Sequence, residues 1–510
     1  MEKLRRLSQT LSHKRDDEED QGTIEGLKIQ YLLKHGFPYQ ATAFAHDSIQ
    51  HIVAIGTASG SIKIMGQPGV NIDILCPKPL PITQLLFLVN EGGLISISDG
   101  TIVNLWNIRQ RTPEISFTLR FPKERITHGY IPFRSKWFYV GTQRGNVYFI
   151  NLETFQKSPF NIYWNKLAEK SNKSHTGAVV SLVEYPEEDK LLIACDAGLV
   201  VLYDLKAREV ESRFVCHTGL TSACFTSEFK KIVCSLIDGQ VATFKCKNPR
   251  EACVSVYPHE TGGTKDGQEH FLPITKLSLR TTKSGDKIMF FAGGLPPQHD
   301  SYSSITIKKA KCLNVIDMGA KILDFIPIQS TPFENEAQDP HSLLVLLHND
   351  LVCIDLASHN NSRFYNPYAM HLGESPVTYI HYIADCPKDL MTALQQVAGN
   401  QSHSVTYSKN HWPINGGVMQ STLNPPQELI ITGHEDGSLK FWNASTLTLT
   451  MLFKFNTRTL FKPLPHNDST PLAVTYIHLD VVSRHLVIVG ESSYVLFCHF
   501  SNQESSLLDV

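Results

Sequence analysis

The feature that most constrains the fold is a unit that recurs along the sequence: an apolar strand, a short turn containing Gly, and a strand in which polar and apolar residues alternate. Its turn glycines, at intervals of 40, 45, 53 and 41 residues, are Gly60, Gly100, Gly145, Gly198 and Gly239. A tight hairpin turn requires a positive φ, which costs a residue with a Cβ more than it costs Gly. Units of about 40–45 residues are typical of the blades of WD-repeat β-propellers.

A sixth clear unit has its turn at Asp436-Gly437 and ends, like two others, on an aromatic residue followed by Asn or Asp. These endings, which stand where a Trp-Asp pair closes a WD repeat, are Leu105-Trp106-Asn107, Leu202-Tyr203-Asp204 and Phe441-Trp442-Asn443. Each large aromatic side chain is predicted to pack between adjacent blades. An antiparallel sandwich also uses Gly turns and alternation, but it has no reason to repeat the whole unit at near-constant spacing.

Four weaker units, at about 274–310, 321–356, 377–420 and 474–500, bring the predicted total to about ten, and one amphipathic helical pattern lies near 386–396. The 510 residues exceed one seven-bladed ring of roughly 300 residues and fall short of two, roughly 600. We therefore predict an all-β fold of the WD-repeat β-propeller class. Its predicted parts are a mobile charged N-terminal tail (1–34), a first seven-bladed propeller (35–365), a partial second propeller (366–501) and a C-terminal tail (502–510).

The predicted second propeller has too few blades to close a ring, and an open blade exposes unpaired strand and apolar surface. The length therefore predicts an isoform, a fragment or a truncated form of a longer protein. It also predicts that residues 366–510 alone are less resistant to proteases than residues 35–365.

Composition narrows the class of function. Hydrophobic residues make up 42% and charged residues 19% of the chain, which suits a large core rather than broad disorder. A net charge of −2 provides no overall field for attracting nucleic acid, so no nucleic-acid partner is expected. Eleven Cys without a C-x-x-C pair, and no apolar stretch long enough for a signal peptide or a membrane span, predict a cytoplasmic protein.

Several long motifs resemble the tomosyn (syntaxin-binding) proteins and their relatives in the lethal giant larvae family. In chain order they include HGFPYQATAFAHDS (35–48), FLVNEGGLISISDGTIVNLWNIRQR (87–111), RITHGYIPFRSKWFYVGTQRGN (125–146), YSKNHWPINGG (407–417) and ITGHEDGSLKFWNAS (431–445). The HGFPYQ opening and the HWPINGG loop bring the chain nearer to tomosyn. The resemblance implies WD propellers that form a non-enzymatic scaffold. Such a scaffold binds syntaxin and other SNARE proteins and regulates vesicle exocytosis and secretion at the plasma membrane.

The same resemblance implies two alternatives: a cell-polarity scaffold of the lethal giant larvae type, or a GTPase activator for a small GTPase. It further implies peripheral association with the plasma membrane from the cytoplasmic side. Tomosyns carry a C-terminal SNARE-like heptad helix, and no segment after Ser501 resembles one. Direct competition for the SNARE bundle is therefore not expected of this chain.

No motif predicts a catalytic, cofactor-binding or metal site. The patterns G-x-x-x-x-G-K-[ST], G-x-G-x-x-G and H-E-x-x-H are absent, and GTASG (56–60) is not a G-x-S-x-G nucleophile elbow. His434, beside Glu435 and Asp436, lies at the start of a hairpin, where an exposed or capping role is favoured over ligation. We predict that the chain is not an enzyme and uses no cofactor.

Six residues are candidates for partner binding. Five arginines in turn-rich contexts could meet an acidic protein surface, anionic lipid head groups or the active site of a GTPase; they are Arg109, Arg111, Arg125, Arg134 and Arg144. Ordinary solvated loop charge is the favoured alternative for most of them. Trp412, in YSKNHWPINGG, is either an interface anchor or a staple that holds a long loop onto the propeller flank, and the staple is favoured.

Overall fold

The computed structural model describes residues 23–24, 27–28, 36–110, 112–169, 175–185, 189–249, 253–260, 271–297, 302–310, 312–333, 336–358, 360–368, 375–401, 407–417, 427–445, 449–457, 472–491 and 494–500. It divides into two units, Met1–His35 and Gly36–Val510. In the first, two short strands pair antiparallel: Thr23–Ile24 (β1) and Leu27–Lys28 (β2). The rest of the predicted N-terminal tail and the predicted C-terminal tail (502–510) lie outside the described residues.

The described part of Gly36–Val510 forms nine antiparallel sheets in which strands consecutive in the chain pair with each other. Sheet 1 comprises Ala41–Asp47 (β3), Ile52–Thr57 (β4), Ser61–Met65 (β5) and Asn71–Leu75 (β6). Sheet 2 comprises Ile82–Leu88 (β7), Gly93–Ser98 (β8), Ile102–Asn107 (β9) and Glu114–Arg120 (β10). Sheet 3 comprises Ile126–Tyr130 (β11), Trp137–Thr142 (β12), Val147–Asn151 (β13) and Gln156–Ile162 (β14).

The next three sheets have the same order. Sheet 4 follows a short helix, Trp164–Ala168 (α1), and comprises Val179–Tyr185 (β15), Lys190–Cys195 (β16), Leu199–Asp204 (β17) and Glu209–Val215 (β18). Sheet 5 comprises Leu220–Phe225 (β19), Lys231–Leu236 (β20), Val241–Lys245 (β21) and Val254–Val256 (β22). Sheet 6 comprises Ile274–Thr281 (β23), Lys287–Gly293 (β24), Ser304–Lys309 (β25) and Cys312–Asp317 (β26).

Two of the last three sheets have three strands among the described residues. Sheet 7 comprises Ile322–Ile328 (β27), Ser342–Leu347 (β28) and Leu351–Asp355 (β29). Sheet 8 comprises Val377–Ile383 (β30), Leu429–His434 (β31), Ser438–Asn443 (β32) and Thr450–Asn456 (β33), with the helix Lys388–Gln401 (α2) between its first two strands. Sheet 9 comprises Val474–Asp480 (β34), His485–Gly490 (β35) and Val495–His499 (β36).

The predicted count of about ten units differs from these nine sheets at one place. The weak unit at 377–420 and the clear unit at 430–446 belong to the same sheet, because β30 pairs directly with β31. Helix α2 and the residues that follow it are inserted between these two strands. The insertion spreads one unit over the length of two. The helix itself was predicted near 386–396, and it packs Leu390, Met391 and Leu394 into the core of sheets 8 and 9.

The first strand of every sheet begins alike. Its second residue is skipped in the pairing with the next strand, which leaves a bulge at this position in all nine sheets. Where that residue is Thr, its hydroxyl can reach the following sheet: Thr42 Oγ1 donates to the carbonyl of Ile82 at 2.6 Å, and Thr127 Oγ1 to that of Val179 at 2.7 Å. The bulge thus re-aims a side chain that ties neighbouring sheets together.

Apolar cores lie between neighbouring sheets. Sheets 1 and 2 share one core, and so do each of the next pairs up to sheets 6 and 7. A further core joins sheet 7 back to sheet 1, with Leu344 and Cys353 packed among Val53, Ile55 and Met65. Sheets 8 and 9 share a separate core. The fold is therefore all-β, and its series of antiparallel sheets is consistent with a β-propeller.

The predicted role of the aromatic endings agrees with these cores. Trp106 lies in the core of sheets 1 and 2, and Tyr203 in the core of sheets 3 and 4. The Nε1–H of Trp106 donates to Ser96 Oγ at 2.9 Å, as that of Trp442 does to Thr432 Oγ1 at the same distance. Each buried indole is thus held by a hydroxyl on the neighbouring strand.

Replacing Trp106 with Phe is expected to destabilise the chain by about 1–3 kcal/mol, because the buried Ser96 hydroxyl loses its donor and the smaller ring leaves a void. The midpoint of urea unfolding measures the effect. Trp137→Phe is the matched control, since Trp137 is 37% exposed. Equal midpoints for the two variants would contradict a stabilising indole bond.

Candidate functional site

The antiparallel order of each sheet places its connections at two ends. The turn between the second and third strands, and the connection to the next sheet, lie at what we call the hairpin end. The other turns lie at the opposite end. The turn glycines predicted from the sequence lie at the hairpin end with positive φ, at Gly60 (83°), Gly100 (63°), Gly145 (81°), Gly198 (91°), Gly239 (82°) and Gly437 (80°).

A cavity of about 560 Å³ opens at the hairpin end, where the first strands of sheets 2, 3 and 4 begin. Its volume falls within the range of roughly 300–1,000 Å³ that is usual for ligand sites. Hairpin turns and the connections between sheets form its wall. The lining residues are Thr83, Asp99, Gly100, Arg125, Ile126, Thr127, Gln143, His175, Gly177, Ala178 and Asp196.

Two glycines let the connection before sheet 4 approach the turns closely. A Cβ on Gly177, where φ is +76°, would lie 1.7 Å from Asp196 Oδ1. A Cβ on Gly145 would lie 2.0 Å from Thr176 Oγ1. The amide of Ala178 donates to Asp196 Oδ1 at 2.8 Å, so this carboxylate is fixed by the backbone beside it.

A buried polar network supports the wall between sheets 3 and 4. Glu124 accepts hydrogen bonds from three side chains: Thr142 Oγ1 at 2.8 Å, Asn146 Nδ2 at 3.0 Å and Tyr148 OH at 3.1 Å. Burial, together with this carboxylate, raises the pKa of Tyr148 to about 12, so the phenol stays protonated as a donor. Asn146 Oδ1 accepts from the amide of Trp164 at 2.9 Å, which links the network to helix α1.

Two pairs of side chains supply the chemistry of the cavity. Arg125 Nη2 lies 2.8 Å from Asp99 Oδ1, and both side chains remain accessible to solvent. The ring of His175 packs against that of Trp164, with centroids 4.5 Å apart. The amide of Gly177 donates to His175 Nδ1 at 2.8 Å, so the neutral imidazole carries its proton on Nε2.

These groups suit recognition of a polar ligand. Carboxylates, a guanidinium and a ring N–H converge on the cavity, and the backbone around them is held by hydrogen bonds. Among the residues that the structure describes, no group of His, Cys, Asp or Glu is placed to hold a metal ion.

His434 does not have the exposed position considered for it from the sequence. It is fully buried, and burial lowers its pKa. Its Nδ1–H donates to the carbonyl of Ser375 at 2.8 Å, and its Nε2 lies 2.9 Å from Thr432 Oγ1, the atom that holds Trp442. The ring therefore joins a hairpin of sheet 8 to the segment before it, because a buried imidazole requires partners for both nitrogens.

The structure separates the arginines that the sequence grouped together. Arg125 lines the cavity, and Arg144 is exposed next to the lining residue Gln143, so both lie at the hairpin end. Arg109, between the third and fourth strands of sheet 2, and Arg134, between the first two strands of sheet 3, lie at the opposite end. Arg111 lies outside the described residues.

The two arginines at the opposite end have local partners. Arg109 Nη2 donates to the backbone carbonyl of Glu91. The guanidinium of Arg134 lies over the ring of Phe133, 5.3 Å from its centroid. Arg134 also lines a small cavity of about 20 Å³, and Trp412 lines one of about 240 Å³, so the cavity of about 560 Å³ that contains Arg125 is the largest of these three.

Trp412 lies in the segment 407–417, here called the seam loop, which packs between sheets 1 and 7. Its ring meets Phe364 and Tyr368 edge to face, with centroids 6.2 and 5.9 Å apart. Ile414, two residues on, is fully buried in the core that joins the two sheets. Trp412 thus packs the seam loop against residues that follow the last described strand of sheet 7, and its role as a staple or an interface anchor stays a prediction.

Backbone hydrogen bonds tie the seam loop to sheet 1. Gly416 accepts from the amide of Gln67 at 2.7 Å and donates to the carbonyl of His51 at 3.1 Å. On sheet 7, the buried Asp355 Oδ2 accepts from Ser408 Oγ at 2.5 Å and Asn410 Nδ2 at 2.8 Å. A segment assigned from the sequence to the second propeller (366–501) therefore bridges the first and seventh sheets.

Sequence reasoning missed most of the residues that form the cavity. His175 and Gly177 lie in the connection before sheet 4, and Asp196 lies in the hairpin turn of that sheet. The sequence pattern at these places predicts only where strands end. A partial signal exists, because Asp99 and Asp196 are each the first residue after the second strand of their sheets, one and two residues before the turn glycines Gly100 and Gly198. That they face one cavity depends on how sheets 2 to 4 pack.

The fold and the site define an all-β protein of propeller-like sheets with a cavity lined by charged and polar side chains at the hairpin end. Residues 264–362 match the family model LLGL, described as LLGL2. The chain is 29% identical over 469 residues to Lethal(2) giant larvae protein homolog 1 of Rattus norvegicus, an alignment covering 87% of this chain and 45% of that protein. It is 27% identical over 538 residues to LLGL scribble cell polarity complex component 2 of Danio rerio, covering 96% and 52%.

The human homolog 1 is similar to the same degree, with 27% identity over 520 residues, 92% of this chain and 49% of the relative. The chain is therefore similar to proteins of the lethal giant larvae family. It spans about half the length of the curated relatives it matches. Among the described residues, no helix has the length and apolar character needed to cross a membrane.

Proposed function

We propose that the chain is a non-enzymatic scaffold of the cell-polarity type. The observation that carries the proposal is similarity to lethal giant larvae proteins along almost the whole chain, including a relative named as a scribble cell polarity complex component. We further propose that sheets 1 to 7 are the blades of one closed WD propeller, because their cores follow one another and return from sheet 7 to sheet 1.

Sheets 8 and 9 are then blades of a second propeller. One face of sheet 9 leaves Val495 and Phe497 53% and 75% exposed, whereas sheets 1 to 6 each pack one face on the next sheet. In this function the strands provide a rigid frame, and the loops at the hairpin end contact protein partners. The cavity with Arg125 is the proposed contact site, at the cytoplasmic side of the cell cortex.

A second candidate is a regulator of exocytosis that binds syntaxin and other SNARE proteins. It is favoured by the HGFPYQ opening and the HWPINGG loop, which resemble tomosyn. The seam loop uses HWPINGG to join sheets 1 and 7, so this likeness supports a shared scaffold more directly than a shared partner. Activation of a small GTPase is a third candidate function. In this case Arg125, the arginine that lines the cavity, would be the residue that meets the active site of the GTPase.

The test is affinity purification of the tagged chain from polarised epithelial cells, with mass spectrometry of the captured proteins and a parallel assay with soluble syntaxin. We expect proteins of the scribble polarity complex to be enriched. Capture of syntaxin without polarity proteins would favour the second candidate, and capture of neither would refute the scaffold proposal.

Arg125→Ala and Arg134→Ala form a matched pair for locating the contact site. Both change an exposed arginine in a connection beside sheet 3, but only Arg125 lines the cavity. Partner capture is expected to change by about tenfold (about 1.4 kcal/mol) for Arg125→Ala, because the substitution removes a cation from the cavity and frees the carboxylate of Asp99, and to persist unchanged for Arg134→Ala. Loss with Arg134→Ala alone would move the site to the opposite end.

A further inference from the structure

We infer that the cavity at the hairpin end binds a basic side chain, arginine in preference to lysine, presented by an extended segment of a protein partner. The inference rests on the proposed function and names the chemistry of the partner. It depends on three properties of the cavity: its charge, its aromatic wall and its rigidity.

The charges lining the cavity favour a cation. Its two carboxylates are those of Asp99 and Asp196, and its one arginine, Arg125, is already paired with Asp99. Asp196 Oδ1 accepts a hydrogen bond from the amide of Ala178, and the residue is exposed at the cavity. A guanidinium binds a carboxylate through two parallel N–H donors, so it can bind the accessible carboxylate of Asp196.

The aromatic wall favours arginine over lysine. His175 lines the cavity, and its ring packs against that of Trp164 with the two planes inclined by 30°. The amide of Gly177 donates to His175 Nδ1 and so fixes the orientation of the ring. A planar guanidinium stacks on such rings, whereas an ammonium is a strongly hydrated point charge.

The size and rigidity of the cavity favour an extended segment. A volume of about 560 Å³ exceeds that of one side chain, so neighbouring residues of the partner would also enter. Gly177 and Gly145 hold the wall where any Cβ would collide with the facing turn. The cavity then loses little conformational entropy when a ligand binds, so more of the contact energy with a short segment remains as binding affinity. An acidic segment is less suited, because Asp99 already neutralises Arg125.

The test uses the full chain and three fluorescent blocked peptides that differ at their central residue: arginine, citrulline or glutamate. Citrulline keeps the shape of arginine and removes its charge. Fluorescence anisotropy is expected to show binding of the arginine peptide below about 1 mM, and at least about tenfold weaker binding of the citrulline peptide. No binding of the arginine peptide, equal binding of the citrulline peptide, or preference for glutamate would each overturn the inference.

Asp196→Asn is the variant that tests the site. An Asn side chain still accepts the amide of Ala178 but loses the charge, so about tenfold weaker binding of the arginine peptide is expected without loss of folding. Asp238→Asn is the matched control, since Asp238 occupies the corresponding turn of sheet 5, contacts His217 at 3.1 Å and does not line the cavity. Unchanged binding by Asp196→Asn would contradict the inference.

The two proposals fail differently. If the chain captures polarity proteins but binds no arginine peptide, the partner chemistry is wrong and the scaffold function stands. If the arginine peptide binds in a manner that depends on Asp196 while no polarity protein is captured, the site is correct and the proposed function is wrong.

Discussion

Replacing Gly416 with Val is expected to lower the unfolding free energy by about 2–4 kcal/mol, because the seam loop can no longer dock on sheet 1. A Cβ at Gly416 would lie 1.6 Å from the backbone carbonyl oxygen of Gln50. Backbone at that distance cannot rotate away as a side chain does, so the loop must withdraw. Its bonds to Gln67 and His51 and the packing of Ile414 are then lost together.

Thermal unfolding followed by fluorescence measures this loss, with an expected fall in Tm of roughly 2–5 °C. Asn415→Ala is the control, because Asn415 is the exposed neighbour of Gly416 in the same loop. Limited proteolysis should also show faster cleavage at the seam loop in Gly416→Val. A Tm within about 1 °C of the control would mean that the seam loop contributes little to the junction of sheets 1 and 7.

The seam loop also bears on the expectation that residues 35–365 are stable and 366–510 are not. The first part alone would lack the segment that bridges its own first and seventh sheets. Both parts are therefore expected to be more sensitive to proteases than the whole chain. If residues 35–365 resisted proteases as well as the whole chain does, the first propeller would end at residue 365, as the sequence predicts.

Acidification from pH 7.5 to pH 5 is expected to destabilise the chain by several kcal/mol. Burial lowers the pKa of His46 to about 3 and that of His128 to about 4, from 6.5 when unfolded. Below pH 6.5 these imidazoles bind protons in the unfolded chain but stay neutral in the folded chain. Their contribution to the free energy of unfolding is therefore fully present above pH 6.5 and is lost as the pH falls. By pH 5 each group contributes a loss of about 2 kcal/mol.

The urea midpoint measured at pH 7.5, 6.5, 5.5 and 5.0 tests this expectation. Carboxylates whose pKa is lowered from 3.8, such as Asp436, act at lower pH, whereas burial raises the pKa of Glu184 from 4.5, so the histidine contribution is identified by substitution. His46→Gln should flatten the acid slope whatever it does to stability at pH 7.5, because it removes a group that protonates only on unfolding. His411→Gln, in the exposed part of the seam loop, is the matched control. A profile that is flat from pH 7.5 to 5.0 would show that these rings are solvated in the folded chain.

The all-β fold and the hairpin turns could be predicted because they depend on local chemistry. Gly100 and Gly239 need positive φ, and the alternation around them fixes which side chains face the cores. The bulge at the start of every first strand could not be predicted from the sequence. The residues that occupy it, such as Thr42 and Thr127, stand in short motifs that are common in any strand. Only the repetition of that motif at equivalent places in the sheets gives it meaning.

The sequence by itself thus determined the strands and their turns and indicated the similarity to lethal giant larvae proteins, since each rests on residues close together in the chain. The tertiary structure decided that Arg125 shares a cavity with Asp196 and His175 while Arg134 lies at the other end. It also decided that Gly416 closes a seam with Gln50 and Gln67. The physical reason is that such sites are assembled from the ends of different sheets, whose order in space follows from how their apolar faces pack.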